Sequence, residues 1–231
     1  MFCFVLMTVP TASAINTRHL STDTEMENLL DNLAFVSEVR YGDLGGAPTF
    51  ERHIHKKFTF NAVHGHAIWV SGKQESFLLD YDPGKKKGTF IVDGMYPMEF
   101  TFKSHGGTFT DLFICARAKG SDVTGSRLQV YNLKLNGNPI SGYVDADCMG
   151  GSTAYDILWI KDISPSIENG FTLEGNFKLE WSGEYPKNSR LTFQAKRTTV
   201  GETTQIPEFP SMALPMVAIL GLAFVFMRKK E

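Results

Sequence analysis

The sequence has no excess of basic charge: 23 Lys and Arg stand against 25 Asp and Glu, a net charge of −2. A nucleic-acid binder needs a cationic face to neutralise phosphates, and the composition supplies none. No Gly-x-Ser-x-Gly turn is present, so the usual strand-to-helix placement of a nucleophilic serine is missing. No Asn-x-Ser/Thr sequon occurs, which removes N-linked glycosylation from the expectations. No repeat of fixed period runs through the chain. Cysteine is scarce at three residues, and Cys3 lies in an apolar start, leaving Cys115 and Cys148 for the body of the chain. In an exported protein those two form one disulfide, whose loop closure contributes roughly 3–4 kcal/mol, or they stay as two separate buried thiols.

What is there divides into two ends and a middle. Residues 1–14 carry no charge and end in Ala12-Ser13-Ala14, which matches the small-residue cleavage pattern of a signal peptide behind the apolar stretch Phe2 to Val9. The positively charged n-region is missing, so the segment reads as a truncated or weak export signal, with a buried strand as the alternative. At the other end a Thr-rich link, residues 198–206, leads to Pro207-Glu208-Phe209. Sixteen uncharged residues follow, Met212 to Met227, and then Arg228-Lys229-Lys230-Glu231. As a helix that run spans about 24 Å, short of a bilayer core of roughly 30 Å, and it would cross by local thinning of the lipid. The bases behind it act as a stop-transfer signal that keeps that end in the cytoplasm and the large domain outside.

The tripeptide, the hydrophobic segment and the terminal basic cluster, in this order, resemble the PEF-CTERM sorting signal of methanogenic archaea. The resemblance implies an archaeosortase, a membrane transpeptidase, as partner: it would read Pro207, Glu208 and Phe209 and cut the tail near them. A permanent transmembrane anchor is the plainer reading of the same residues.

Between the ends the apolar residues alternate. Phe58-Thr59-Phe60, Thr89-Phe90-Ile91-Val92, Glu99-Phe100-Thr101-Phe102 and Leu128-Gln129-Val130-Tyr131 have the period of half-buried strands. Asp82-Pro83-Gly84, Asp93-Gly94, Asn136-Gly137 and Asn169-Gly170 punctuate them as turns. Only Asp23 to Leu33 shows helical spacing. The expectation for residues 15–197 is an all-β, antiparallel, jelly-roll-like sandwich of about eleven strands with one short N-terminal helix. Trp69-Val70-Ser71-Gly72, Gly88-Thr89-Phe90-Ile91-Val92-Asp93-Gly94, Asn132-Leu133-Lys134-Leu135-Asn136-Gly137 and Gly170-Phe171-Thr172-Leu173-Glu174-Gly175 are similar to pieces of the choice-of-anchor family of exported domains, W type. That likeness covers residues 60–197 and implies a surface domain without assigning catalytic residues.

The chemistry-bearing residues each have a plainer use. His53 with His55, and His64 with His66, project from one strand face in pairs and would each clamp a metal from two sides, but no third ligand is placed by sequence. Asp80 and Asp82, and Asp145 and Asp147, would offer oxygens to calcium; turn formation explains them equally well. Lys85-Lys86-Lys87 reads as a solvated hairpin tip. Trp69, Trp159, Trp181 and Tyr81 would stack on sugar rings if exposed together, and otherwise fill the core. Cys115 sits in the apolar run Leu112 to Ala116, which disfavours a thiolate. The expectation is therefore no catalytic residue and no cofactor, with calcium as the weaker option. The chain reads as a surface or envelope protein for adhesion or matrix binding, touching a glycan or another envelope protein. A carbohydrate-active domain, binding module or glycoside hydrolase, is the alternative, because a hydrolase's two acids need not be close in sequence.

Overall fold

Strict alternation builds most of the molecule. The computed structural model describes residues 15–41, 51–55, 62–101, 111–119, 123–148, 152–161, 169–183 and 191–200. The signal segment, the Phe58-Thr59-Phe60 strand and the C-terminal tail expected from the sequence lie outside these residues. In order, the described elements are β1 (Asn16–Leu20), α1 (Asp23–Glu27), β2 (Leu30–Tyr41), β3 (Arg52–His55), β4 (Ala62–Gly65), β5 (Gln74–Asp82), β6 (Lys87–Val92) and β7 (Met98–Thr101). They continue with β8 (Asp111–Lys119), β9 (Val123–Leu135), β10 (Asn138–Pro139), β11 (Val144–Cys148), β12 (Thr153–Lys161), β13 (Phe171–Gly183) and β14 (Leu191–Val200).

The strands form two antiparallel sheets. The first has the order β1-β12-β8-β14-β2-β3-β4, and the second β10-β9-β13-β5-β6-β7, with β11 also paired to β9. One apolar core lies between them. Phe77 of β5, Phe177 of β13 and Phe193 of β14 meet there, with the Phe77 and Phe193 rings 4.8 Å apart across the two sheets. Phe77, Leu79 and Tyr81 are buried on β5 while Ser76 is exposed, and Phe171, Leu173, Phe177 and Leu179 repeat the pattern on β13. Each such phenyl or leucyl side chain contributes roughly 1.5–3 kcal/mol on leaving water.

Strand β8 departs from alternation because both its faces are covered. Leu112, Ile114 and Ala116 face the main core, while Phe113 and Cys115 join Leu20, Met26 and Ile157 in a second cluster on the outer face, under α1. Helix α1 opens on Thr22, whose hydroxyl accepts the Glu25 N–H at 3.1 Å, with Asp23 and Glu25 in its first turn. It ends at Glu27, short of the Leu33 expected from helical spacing, because Leu30 already pairs with Val200 in the sheet. The ladder to β14 outweighs the weak local preference for helix. That same strand carries Thr198 and Thr199 into the first sheet, so the Thr-rich link starts later than its composition implied.

The hairpin between β9 and β10 follows from Asn136-Gly137, both left-handed at φ 52 and 77, the geometry a two-residue loop requires.

Candidate functional site

The outer face of the second sheet carries a groove of about 920 Å³. Its floor comes from four adjacent strands: Tyr131, Asn132 and Lys134 from β9, Glu174 and Asn176 from β13, Ser76 and Leu78 from β5, and Ile91 from β6, with Asp93 just beyond. The connection from Pro139 to Tyr143 forms one wall. Ile140 pins that wall, being buried and donating its N–H to the Leu133 carbonyl at 2.8 Å. Gly142, at φ 137, turns the chain where a side chain would be strained and would also meet Leu158. Tyr143 is thereby held 56 % exposed.

A bulge shapes the centre of the groove. Glu174 pairs with Lys134 and Asn176 with Tyr131, so Asn132 and Leu133 together stand opposite Gly175 alone. Asn132 takes the left-handed conformation, φ 54. The extra residue slips the alternation: Val130 and Leu133 both point inward, and Tyr131 and Asn132 both line the groove. Two hydrogen bonds fix the polar groups. The Asn132 amide donates to Asn176 Oδ1 at 3.1 Å, and the Tyr131 hydroxyl donates to Gln74 Oε1 at 2.7 Å. Charge in the groove is one ammonium, Lys134, against the carboxylates of Asp93 and Glu174.

The expected histidine clamps are arranged differently. Glu38, His53 and His64 stand in register across β2, β3 and β4, on the outer face of the first sheet. His53 and His64 meet edge to face, their Nδ1 atoms 2.8 Å apart, and Arg40 Nη2 lies 3.2 Å from the same His53 Nδ1. A guanidinium can only donate, so His53 Nδ1 is the acceptor and His64 Nδ1 carries the hydrogen. A divalent cation at that nitrogen would face Arg40. His55 lines a separate cavity of about 450 Å³ with Glu38, Arg40 and Lys196, while His66 is exposed. Among the described residues no group of three or more His, Cys, Asp or Glu is placed to hold a metal ion.

The aspartates have partners within the protein. Asp82 accepts the Lys85 N–H at 3.1 Å and pairs with its ammonium at 3.0 Å, which pulls its carboxyl below the ordinary range. Asp80 accepts from the Thr172 hydroxyl at 3.0 Å. Asp145 takes a two-point contact from Arg127, with Nε at 2.7 Å, and a further bond from Gln129; the Arg127 hydrogen bonds lower its carboxyl's pKa. Asp147 lies 3.8 Å from Arg127 Nε.

Cys115 and Cys148 are free thiols, both buried, so the bridge that their number allowed is not formed. Burial pushes the Cys115 thiol up to about 12, far from a nucleophile's range.

The aromatic platform does not assemble. Trp69 is buried and donates to the Arg40 carbonyl at 2.9 Å, and Tyr81 is buried beside Phe171. Trp159 stacks on Phe113 on the outer face of the first sheet, and Trp181 packs against the main core. The exposed tyrosine at the groove is instead Tyr143, which composition alone did not single out.

Residues 206–230 match the PEF-CTERM archaeal protein sorting domain. A domain of this kind marks a surface protein sorted and anchored through its C-terminus, and it is consistent with processing by an archaeosortase. The match stops short of the sandwich, and the choice-of-anchor likeness of residues 60–197 finds no counterpart in it. No curated protein matches the chain. Among the described residues no helix is long and apolar enough to cross a membrane; the segment expected to do so, 212–227, lies outside them.

Proposed function

We propose that this chain is a non-catalytic surface protein of an archaeal cell envelope, with the two-sheet domain displayed outside the cell for adhesion or matrix contact. The sorting domain at residues 206–230 is the observation that carries the reading. Division of labour within that tail supports it. Met212 to Met227 holds the substrate in the bilayer, Arg228, Lys229 and Lys230 keep the end cytoplasmic before processing, and Pro207-Glu208-Phe209 is presented to the processing enzyme. The display reading needs no cofactor and gives the groove on the second sheet the role of contact surface.

A carbohydrate-active domain is the second reading, and the groove's mixture of amides, hydroxyls and an exposed tyrosine favours its binding form. Hydrolysis would require an acid and a second carboxylate flanking the scissile bond, and the display reading assigns Asp93 and Glu174 no such roles.

Labelling of intact cells tests the location. An antibody against the two-sheet domain should stain unpermeabilised cells, and added protease should remove the signal. Staining that appears only after lysis would refute surface display.

A further inference from the structure

We propose that the groove on the second sheet binds a neutral glycan chain, with Asn132 and Tyr143 as its main contacts. The inference deepens the carbohydrate-binding reading of this groove, and rests on the display reading only for where the glycan comes from. Its size falls within the roughly 300–1,000 Å³ typical of ligand sites.

The chemistry selects the class. One ammonium against two carboxylates disfavours phosphate, sulfate and uronate groups. The rest of the lining sets five neutral hydrogen-bonding side chains, Ser76, Tyr131, Asn132, Tyr143 and Asn176, among apolar residues and glycines. The Asn132 amide donates to Asn176 Oδ1, which leaves Asn132 Oδ1 as an acceptor and Asn176 Nδ2 as a donor side by side. A sugar hydroxyl is donor and acceptor at once, so this pair matches adjacent hydroxyls. Tyr143 presents a flat ring on a pinned wall, suited to the C–H face of a pyranose.

The bulge gives independent support. Glycine at position 132 would hold φ 54 without strain, yet the residue there is an asparagine, whose side chain the bulge puts beside that of Tyr131. An added peptide strand fits less well. The groove lies over the faces of β9, β13, β5 and β6, which are already paired to one another edge to edge, and strand addition needs an open edge.

Calorimetry on the full-length chain, in a polyoxyethylene detergent that carries no sugar, tests the site. The probes are oligosaccharides of cellulose, chitin, mannan and galactan, with polyglucuronate and a lysine-rich unstructured peptide as competitors of other classes. Saturable binding of at least one neutral oligosaccharide is expected. Asn132→Gly, which keeps the left-handed backbone and removes only the amide, or Tyr143→Ala should weaken it about tenfold, the size of one lost hydrogen bond or ring contact. Tyr96→Ala, at a tyrosine that is 90 % exposed and does not line the groove, should leave it unchanged. Three results would overturn the proposal: no binding of any neutral oligosaccharide at millimolar concentration, equal binding by wild type and both groove variants, or preference for polyglucuronate or the peptide. Failure here leaves the cell-surface location untouched, and failure of surface labelling leaves the groove's chemistry untouched.

Discussion

Gly175 offers a sharp test of how the core and the groove are joined. It lies on β13 opposite the bulge, and a Cβ placed there would stand 2.8 Å from Phe77 Cε1, 2.9 Å from Leu133 Cδ2 and 3.0 Å from Phe77 Cζ. Phe77 has little room to yield, since its ring is bounded by Phe90 at 6.4 Å, Phe177 at 6.5 Å and Phe193 at 4.8 Å. Overpacking of this kind costs about 1–3 kcal/mol. The backbone at Gly175 is not left-handed, so alanine also gains about 0.4–1 kcal/mol by restricting the unfolded chain. The expected net effect of Gly175→Ala is a destabilisation of about 1–2 kcal/mol, read in urea as a midpoint lowered by roughly half to one molar with an unchanged slope. Phe77→Leu removes two of the three clashing atoms, so the double variant should be less destabilised than the sum of the singles, by at least about 0.5 kcal/mol. A neutral or stabilising Gly175→Ala, or strict additivity with Phe77→Leu, would refute the packing described for this face.

Two further outcomes follow from the charges and thiols. The folded Asp145 carboxyl lies below its ordinary pKa, so its contribution is complete above about pH 4 and is lost as pH falls through the depressed value. Asp145→Asn should therefore cost about 1 kcal/mol at neutral pH, discounted because Arg127 is 40 % exposed, and the gap to wild type should close in acid; a gap that persists at low pH would contradict the pairing. Cys115, buried with its thiol pushed up to about 12, should resist alkylation in the folded chain at neutral pH, and rapid modification there would contradict its burial under α1.

Where one sheet face is solvated, the fold was readable in the sequence. The alternation of Thr89 to Val92 in β6 and of Leu128 to Tyr131 in β9, and the Asn136-Gly137 turn, appear in the structure as expected, because each side chain's burial there depends only on parity. Strand β8 could not be assigned a single inward face, since the cover over Phe113 and Cys115 comes from α1, distant in sequence. Helix α1 ends before its helical spacing does for a related reason: pairing of Leu30 with Val200 is a long-range event.

The groove has a signal in the spacing of the β9 leucines and valine. Leu128, Val130, Leu133 and Leu135 are spaced two, three and two apart, and the middle step of three marks the bulge that puts Asn132 in the groove. Trp69 and Tyr81 suggested a platform only because residue type says nothing about which face a strand presents. The histidines met across strands rather than along them, which depends on the β3–β4 register.

The central claim is that the tail is a recognised sorting signal rather than a plain anchor. Mass spectrometry of the mature protein from the envelope of an archaeal host, for wild type and Glu208→Gln, tests it most directly. A hydrophobic anchor would be indifferent to that exchange, whereas a site built for the Glu208 carboxylate loses charge-assisted hydrogen bonds. The account predicts a wild-type C-terminus cut near Pro207-Glu208-Phe209 and an unprocessed Glu208→Gln chain; recovery of both chains intact through Glu231 would contradict it.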